Sequence, residues 1–239
     1  MKPLDNRVAL VVGASRGFGQ GIAAAFAEAG ATVIGIARNP APGVVTADAT
    51  DPDVAHKLIA QHRPDILALV AGAPPTLLPI HEQTWETFST NWHTDARMTF
   101  NWLREALLLP MREGSRVIVM SSGAALMGSP LSGGYAGAKA AQRFAADYAS
   151  QEAKRLQLGI GISAVLPKLT YATALGRPAV AAYAARGGMS EEEYRRRMGE
   201  PVTPAIAGEA FVKLATTAQG EGGAYLLTAE GLSLIGGPA

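Results

Sequence analysis

Cysteine is absent from the 239 residues. That removes disulfides, thiolate nucleophiles and cysteine metal ligands, and it fits a reducing compartment such as the cytoplasm. Charge is sparse (17%) and balanced, with 21 Lys and Arg against 20 Asp and Glu, so there is no basic field to hold nucleic acid. The basic run Arg195-Arg196-Arg197 follows Glu191-Glu192-Glu193 and reads as a solvated helix face. Long apolar runs are missing too. The stretches at 8–12 and 66–71 are strand-length, far short of the roughly 20 residues of a membrane span. The opening Met1-Lys2-Pro3-Leu4-Asp5 lacks a signal-peptide core, so a cytoplasmic protein without membrane contact is expected. His56, His62, His81 and His93 show no metal spacing; His56 and His62 read as exposed, His81 and His93 as cleft neighbours, and no metal is expected. What is present is a 48% hydrophobic, alanine-rich chain with 27 glycines, enough for a sizeable core and closely packed helices.

Short β-branched runs alternate with longer helical patterns along the whole chain. Strands are expected at 8–12, 32–37, 44–47, 66–70, 116–120, 160–166 and 224–227, and helices at 17–29, 53–62, roughly 82–109, 135–158 and 204–218. Several strands are almost wholly apolar, as parallel strands covered on both faces should be. The alternation argues for an α/β fold, a doubly wound (Rossmann) parallel sheet of about seven strands with helices on both faces, with residues 1–239 forming one domain. Only residues 39–43 join the second and third strands, too few for a crossover helix, so a parallel pair there needs an extended loop. Segment 175–202 resembles two helices hinged at Gly187-Gly188, the second with a Ser190/Glu193 capping pattern. It falls beyond the carboxyl ends of the strands, where ligands bind in such sheets, and is expected to be a substrate lid.

Gly13-Ala14-Ser15-Arg16-Gly17-Phe18-Gly19 follows the first strand and opens a helix. Gly13 suits the tight turn, Gly17 a close backbone approach to pyrophosphate, and Gly19 tight helix–sheet packing. The helix N-terminus then offers unpaired N–H groups and partial positive charge to phosphate. Further on, Ser122 lies 13 residues before Tyr135, and Lys139 lies four after it. Positions i and i+4 share a helix face, so the phenol and the ammonium can reach one ligand.

The Gly-x-x-x-Gly-x-Gly turn with Ser…Tyr-x-x-x-Lys resembles the short-chain dehydrogenase/reductase family, over nearly the whole chain. The resemblance implies an oxidoreductase moving a hydride between a nicotinamide cofactor and a small-molecule carbonyl or secondary alcohol. Tyr135 would donate the proton, Lys139 would bind the nicotinamide ribose and favour the phenolate of a group that ordinarily titrates near ~10, and Ser122 would hold the carbonyl oxygen. The family's fourth catalytic residue is an asparagine. Anchoring on Phe100 places Asp95 there, to bind a relay water, with Asn91 one turn earlier as the other claimant; a surface carboxylate near Arg97 is the competing reading of Asp95. Cofactor contacts are carried to Gly13, Ser15, Arg16, Gly17, Phe18, Gly19, Arg38, Asp48, Ala49, Ala71, Gly72, Tyr135, Lys139, Pro167 and Thr170.

Leu69-Val70-Ala71-Gly72 stands where the family has Asn-Asn-Ala-Gly, and Pro167-Lys168 where it has Pro-Gly. Lys168 is read either as a partner for an acidic group or as a loop lysine facing solvent. After Ile36-Ala37 comes Arg38 and no acid. With Arg16 nearby, this favours NADP over NAD, because an NAD site places a carboxylate there for the ribose 2′-hydroxyl. NAD remains the alternative cofactor. Trp85, Trp92 and Trp102 could share one helix face, in the core or at a subunit contact. The resemblance also implies a homodimer or homotetramer, and small residues along 135–158, among them Ala136, Gly137, Ala138 and Ala140, would permit helix pairing. The alternative function is a catalytically idle homologue that binds NADP(H) as a redox-sensing or scaffolding module; an enoyl-reductase-like enzyme is disfavoured by the close Tyr–Lys spacing.

Overall fold

A computed structural model describes residues 1–109, 111–217 and 222–236. β1 (Val8–Val12), β4 (Ile66–Leu69), β5 (Arg116–Met120) and β6 (Gly161–Pro167) are the most apolar strands, and β4, β5 and β6 are buried throughout. They form the centre of one sheet in the order β3-β2-β1-β4-β5-β6-β7-β8, flanked by β2 (Thr32–Ala37), β3 (Val44–Thr46), β7 (Gly223–Thr228) and β8 (Gly231–Gly236). Every pairing is parallel except β7 with β8. Successive side chains of a strand point to opposite faces. Leu10, Val12, Leu67, Leu69, Val117 and Val119 therefore join one core layer, and Ala9, Val11, Ile66, Ala68, Ile118 and Met120 the other.

Helices close both layers. α2 (Pro52–His62), α4 (Arg97–Leu108) and α6 (Gly133–Arg155) bring Leu58, Ile59, Trp102 and Ala146 to the first; α1 (Gly17–Glu28) and α9 (Pro204–Thr216) bring Ile22, Phe26, Phe211 and Leu214 to the second. Each large side chain fully buried this way contributes about 1.5–3 kcal/mol. The end expected for the last helix, residue 218, lies outside the described residues.

β2 and β3 are parallel despite their short link. Val44 pairs with Gly35, two residues short of the end of β2, so the loop must return only about 7 Å along the strand. β8, absent from the sequence reading, turns back antiparallel beside β7. Its sequence Gly-Leu-Ser-Leu-Ile-Gly is short and bounded by glycines, a weak local signal.

The helix expected over 82–109 is broken. Thr84 caps a shorter α3 (Trp85–Asn91), exchanging hydrogen bonds with Thr87. A single wide π turn over Trp92–Ala96 then leads into α4. Such turns concentrate at functional sites, and this one carries Asp95 inward. It also puts the tryptophans out of phase: Trp102 is fully buried, whereas Trp85 and Trp92 are exposed. They do not share one face. Segment 175–202 folds as α7 (Gly176–Arg186) and α8 (Glu191–Met198), after the single turn of α5 (Ala124–Met127) earlier in the chain. Ser190 caps α8 through Glu193 N (3.2 Å), but the Glu193 carboxylate pairs with Arg197 and Glu191 with Arg195, so the basic run is a solvated, paired face.

Candidate active site

Chain order reverses between β1 and β4, and a cleft opens above their carboxyl ends, as expected at such a switch point. Its floor is the glycine turn. Gly13 has φ +99°, and a Cβ there would sit 2.6 Å from the Ala71 backbone nitrogen, so the turn and the loop after β4 can touch only because Gly13 has no side chain. A Cβ on Gly19 would lie 2.0 Å from the Gly13 carbonyl oxygen; Gly19 therefore packs against the turn itself. α1 starts at Gly17 with no side-chain cap and no acidic residue in its first turn. Its free N–H groups and positive dipole end suit a phosphate group.

Ser15, Arg16, Gly17, Phe18, Arg38, Asp48, Ala49, Ala71 and Gly72 all line this cleft. Arg16 and Arg38 are exposed, and neither forms a salt bridge among the described residues. Asp48 Oδ1 accepts from the Thr50 N–H and hydroxyl, both at 2.9 Å. Those bonds hold its carboxyl below the usual aspartate range, with smaller help from Arg38 and Arg97 against some burial. Trp102 Nε1 donates to Ala49 O (3.0 Å) and Asn101 to Thr50 O (2.9 Å), so α4 anchors this side of the cleft.

At the other end, Tyr135 is half-buried and Lys139 buried, with Lys139 Nζ 5.4 Å from the centre of the Tyr135 ring. Asp95 is completely buried, and its Oδ2 lies 3.1 Å from Lys139 Nζ; the contact is an ion pair without hydrogen-bond alignment. Burial pushes the Lys139 ammonium down, but the Asp95 carboxylate, the Tyr135 phenol and the Asp95 hydrogen-bonding contribution push it up and prevail. Asp95 Oδ1 accepts from Ala73 N (2.8 Å), Thr94 Oγ1 (2.8 Å) and Asn91 Nδ2 (3.3 Å), and Asn91 also donates to Ala73 O (2.8 Å). Both polar groups of the Ala73 backbone are thus clasped from one helix. A Cβ on Gly72 would stand 2.8 Å from Asp95 Oδ2, so glycine leaves room for the carboxylate.

The sequence matches the family model described as short chain dehydrogenase over residues 7–184, well over half of the chain. The chain belongs to the short-chain dehydrogenase family. Among curated proteins it is similar to versicolorin reductase 1 of Aspergillus parasiticus, 35% identical over 160 residues covering 58% of this chain and 60% of that protein. It is also similar to hydroxynaphthalene reductase-like protein Arp2 of Metarhizium majus, 32% identical over 161 residues, 59% of this chain and 60% of the relative. Versicolorin reductase stcU of Emericella nidulans is 34% identical over 160 residues, with 58% and 60% covered. The chain spans about 60% of the length of the curated relatives it matches.

Within this short-chain dehydrogenase, Asp95 is not a surface charge: it faces Lys139, while Arg97 is exposed. In the Leu69–Gly72 segment, which lacks the family's asparagines, backbone bonds and the Ala73 clasp hold the loop after β4. Val70 N and Ala71 N both donate to Val12 O (2.9 and 2.8 Å), and Asn91 with Asp95 secures Ala73. Ser122, Pro167 and Thr170 stand off the cleft lining. Ser122 Oγ accepts from Ala124 N (3.2 Å), which leaves its hydroxyl proton to donate. Thr170 Oγ1 instead bridges Val202 O (2.8 Å) and Ala172 N (3.1 Å), bracing the segment that begins α7. Thr173 lines the cleft near that position, its methyl 3.9 Å from where a Cβ on Gly17 would stand; nothing in its local spacing marks it. Lys168 is exposed, its charge felt by Glu230. His81 and His93 are exposed and off the cleft lining, and His62 is half-buried rather than exposed. Among the described residues no cluster of metal-binding side chains exists, and no helix is long and apolar enough to cross a membrane.

Proposed function

We propose that this short-chain dehydrogenase is an NADP-dependent oxidoreductase that moves a hydride between NADP(H) and a carbonyl or secondary alcohol, with Tyr135 as acid and base. The carrying observation is the Tyr135 ring beneath the buried Lys139 ammonium, in the same cleft as an uncapped, glycine-lined helix start. When bound, the nicotinamide supplies or accepts the hydride. In reduction Tyr135 gives its phenolic proton to the carbonyl oxygen as the carbon gains hydride; Lys139 steadies the phenolate until a proton returns from solvent. Ser122, just off the cleft lining with its hydroxyl proton free, would donate to the same oxygen, and the Gly13–Gly19 turn with Asp48 and Ala49 would hold the pyrophosphate and adenine. The relatives named reductases support reduction as the working direction. Residues 175–202 act as the substrate lid: Leu175 lines the cleft, and the Tyr183 hydroxyl of α7 meets Ser129 and Ser132 at the start of α6. The cysteine-free composition supports a cytoplasmic setting.

Oxidation of NADPH by a panel of aldehydes, ketones and quinones, beside plain NADPH binding, tests this reading. Binding with no turnover on any carbonyl would favour the idle, scaffolding homologue.

Preference for NADP rests on Arg38 and Arg16 at the cleft rim with no acid at the end of β2. Arg38→Asp is expected to weaken NADPH by tenfold or more, as repulsion replaces attraction at the 2′-phosphate, and to spare or improve NADH. Titration of each cofactor checks it; equal loss of both would make Arg38 a fold residue.

A homodimer or homotetramer is proposed on different grounds from those of the sequence. Ala136, Ala138, Ala146 and Ala149 are spent inside the subunit, buried against its own core. The outward face of α4 and α6 instead shows Phe100 (61% exposed), Phe144 (69%) and Tyr148 (61%), the last two stacked. Large exposed aromatics of this kind, two of them stacked, suit an association surface. Light scattering at micromolar concentration is expected to give a dimer or tetramer, and Phe144→Glu with Tyr148→Glu to shift it toward monomer.

A further inference from the structure

One completely buried side chain beside Lys139 has no part in the scheme above. Gln142 lies one turn beyond Lys139 on α6, and its Oε1 is 2.7 Å from Lys139 Nζ. Its Nε2 donates to the Asp95 carbonyl oxygen (3.2 Å) and to Thr99 Oγ1 (2.5 Å). The orientation of the amide is dictated by its neighbours: an ammonium can only donate and a backbone carbonyl only accept, so a flipped amide would oppose like groups at both ends. Lys139 Nζ thus donates to Gln142 Oε1 and Met120 O (3.4 Å) and is ion-paired with Asp95 Oδ2 at 3.1 Å. The shortest of these contacts is the one to the neutral glutamine.

We infer that Gln142 is a positioning residue: it ties Lys139 to the wide turn carrying Asp95 and holds the ammonium over the Tyr135 ring, from which it would otherwise collapse onto the carboxylate. The inference rests on the hydride-transfer reading for its catalytic consequence. A buried ion pair gains from close approach unless other hydrogen bonds hold the partners. Gln142 supplies such a bond while adding no charge, so the ammonium keeps its pull on the phenol. The titratable groups facing Lys139 are Asp95 from the wide turn and Tyr135 from α6; β5 offers the Met120 carbonyl, and Ser121 Oγ is bonded to Lys139 O (2.7 Å).

Two variants separate positioning from packing. Gln142→Met keeps length and removes the acceptor; it is expected to lower kcat about tenfold with the KM of the carbonyl substrate unchanged. Gln142→Glu keeps the acceptor and adds negative charge, so it is expected to recover most of kcat but move the pH profile of kcat/KM for alcohol oxidation upward by about one unit. A structural role alone would lower Tm in both and, in the uncharged Gln142→Met, would leave the kcat-to-KM split unmoved; that result overturns the inference. The phenolate absorbance of the full chain without cofactor, referenced to Tyr135→Phe, gives a readout independent of turnover. The Tyr135 titration should rise in Gln142→Met, as the ammonium moves from the ring toward Asp95, and in Gln142→Glu through its charge; an unmoved titration in Gln142→Met overturns the inference. Turnover that survives Tyr135→Phe defeats the Tyr135 acid–base reading instead, leaving the titration to judge Gln142. Should Gln142→Glu fail to fold, Gln142→Met decides by the same two measurements.

Discussion

Replacing Tyr135 with phenylalanine is expected to lower turnover by about a thousandfold or more, combining loss of a positioned proton donor with loss of the orientation it gives the substrate. The ring itself stays. Lys139 Nζ sits over its face at 5.4 Å, and that contact needs no hydroxyl, so α6 and the cofactor cradle should be undisturbed. NADPH affinity is expected to remain within a fewfold of wild type. Steady-state kinetics on a substrate from the carbonyl panel, with NADPH binding followed by fluorescence, check both halves. Turnover near wild type would end the assignment of Tyr135 as acid and base.

Asp95 carries the second large effect. Asp95→Ala strands the Lys139 ammonium without its carboxylate and leaves Ala73 N, Thr94 and Asn91 without a shared acceptor. Breaking a buried pair by removing one partner costs about 3–5 kcal/mol, so a clearly lower Tm together with loss of activity is expected. Asp95→Asn is more informative. Three donors converge on Oδ1, which fixes the asparagine oxygen there and turns its amide nitrogen toward Lys139, a donor facing a donor. Lys139 keeps Gln142 and Met120, so activity is expected to survive. Removing a negative charge lowers the pKa of every neighbouring group. In particular, Lys139 loses the carboxylate that outweighs its burial. Both limbs of the kcat/KM profile for alcohol oxidation should therefore move to lower pH. Because the folded-state pKa of Lys139 is raised, the stability it contributes is present below the ordinary lysine range and lost as pH rises through the raised value. In Asp95→Asn that alkaline loss should begin at lower pH. A profile that stays in place in both variants would remove Asp95 from the site.

The short-range features were legible because they depend on residues close in sequence. Continuous apolar runs at β1, β4, β5 and β6 could only be strands covered on both sides. The glycine turn showed itself through spacing, and the i, i+4 relation set Tyr135 and Lys139 on one helix face. The same reasoning at i+3 would have reached Gln142, since it shares that face. Nothing along α6 itself gives the Gln142 amide a partner for Nε2: its acceptors lie on the wide turn and α4. Asp95, whose carbonyl meets Gln142 and whose carboxylate meets Lys139, comes from a π turn that no hydrophobic period encodes, and whether it faced Lys139 or solvent turned on which way the turn pointed. Only the tertiary structure decided it, by packing the wide turn against α6 so that Asp95, Lys139 and Gln142 meet in a buried volume. The clasp on Ala73, the bond from Thr170 to Val202, the outward aromatics of α4 and α6, and the pairing of β8 beside β7 have the same origin. Each depends on contacts between residues far apart in the chain, whose free energy is set by burial and mutual geometry and leaves no local periodicity in the sequence.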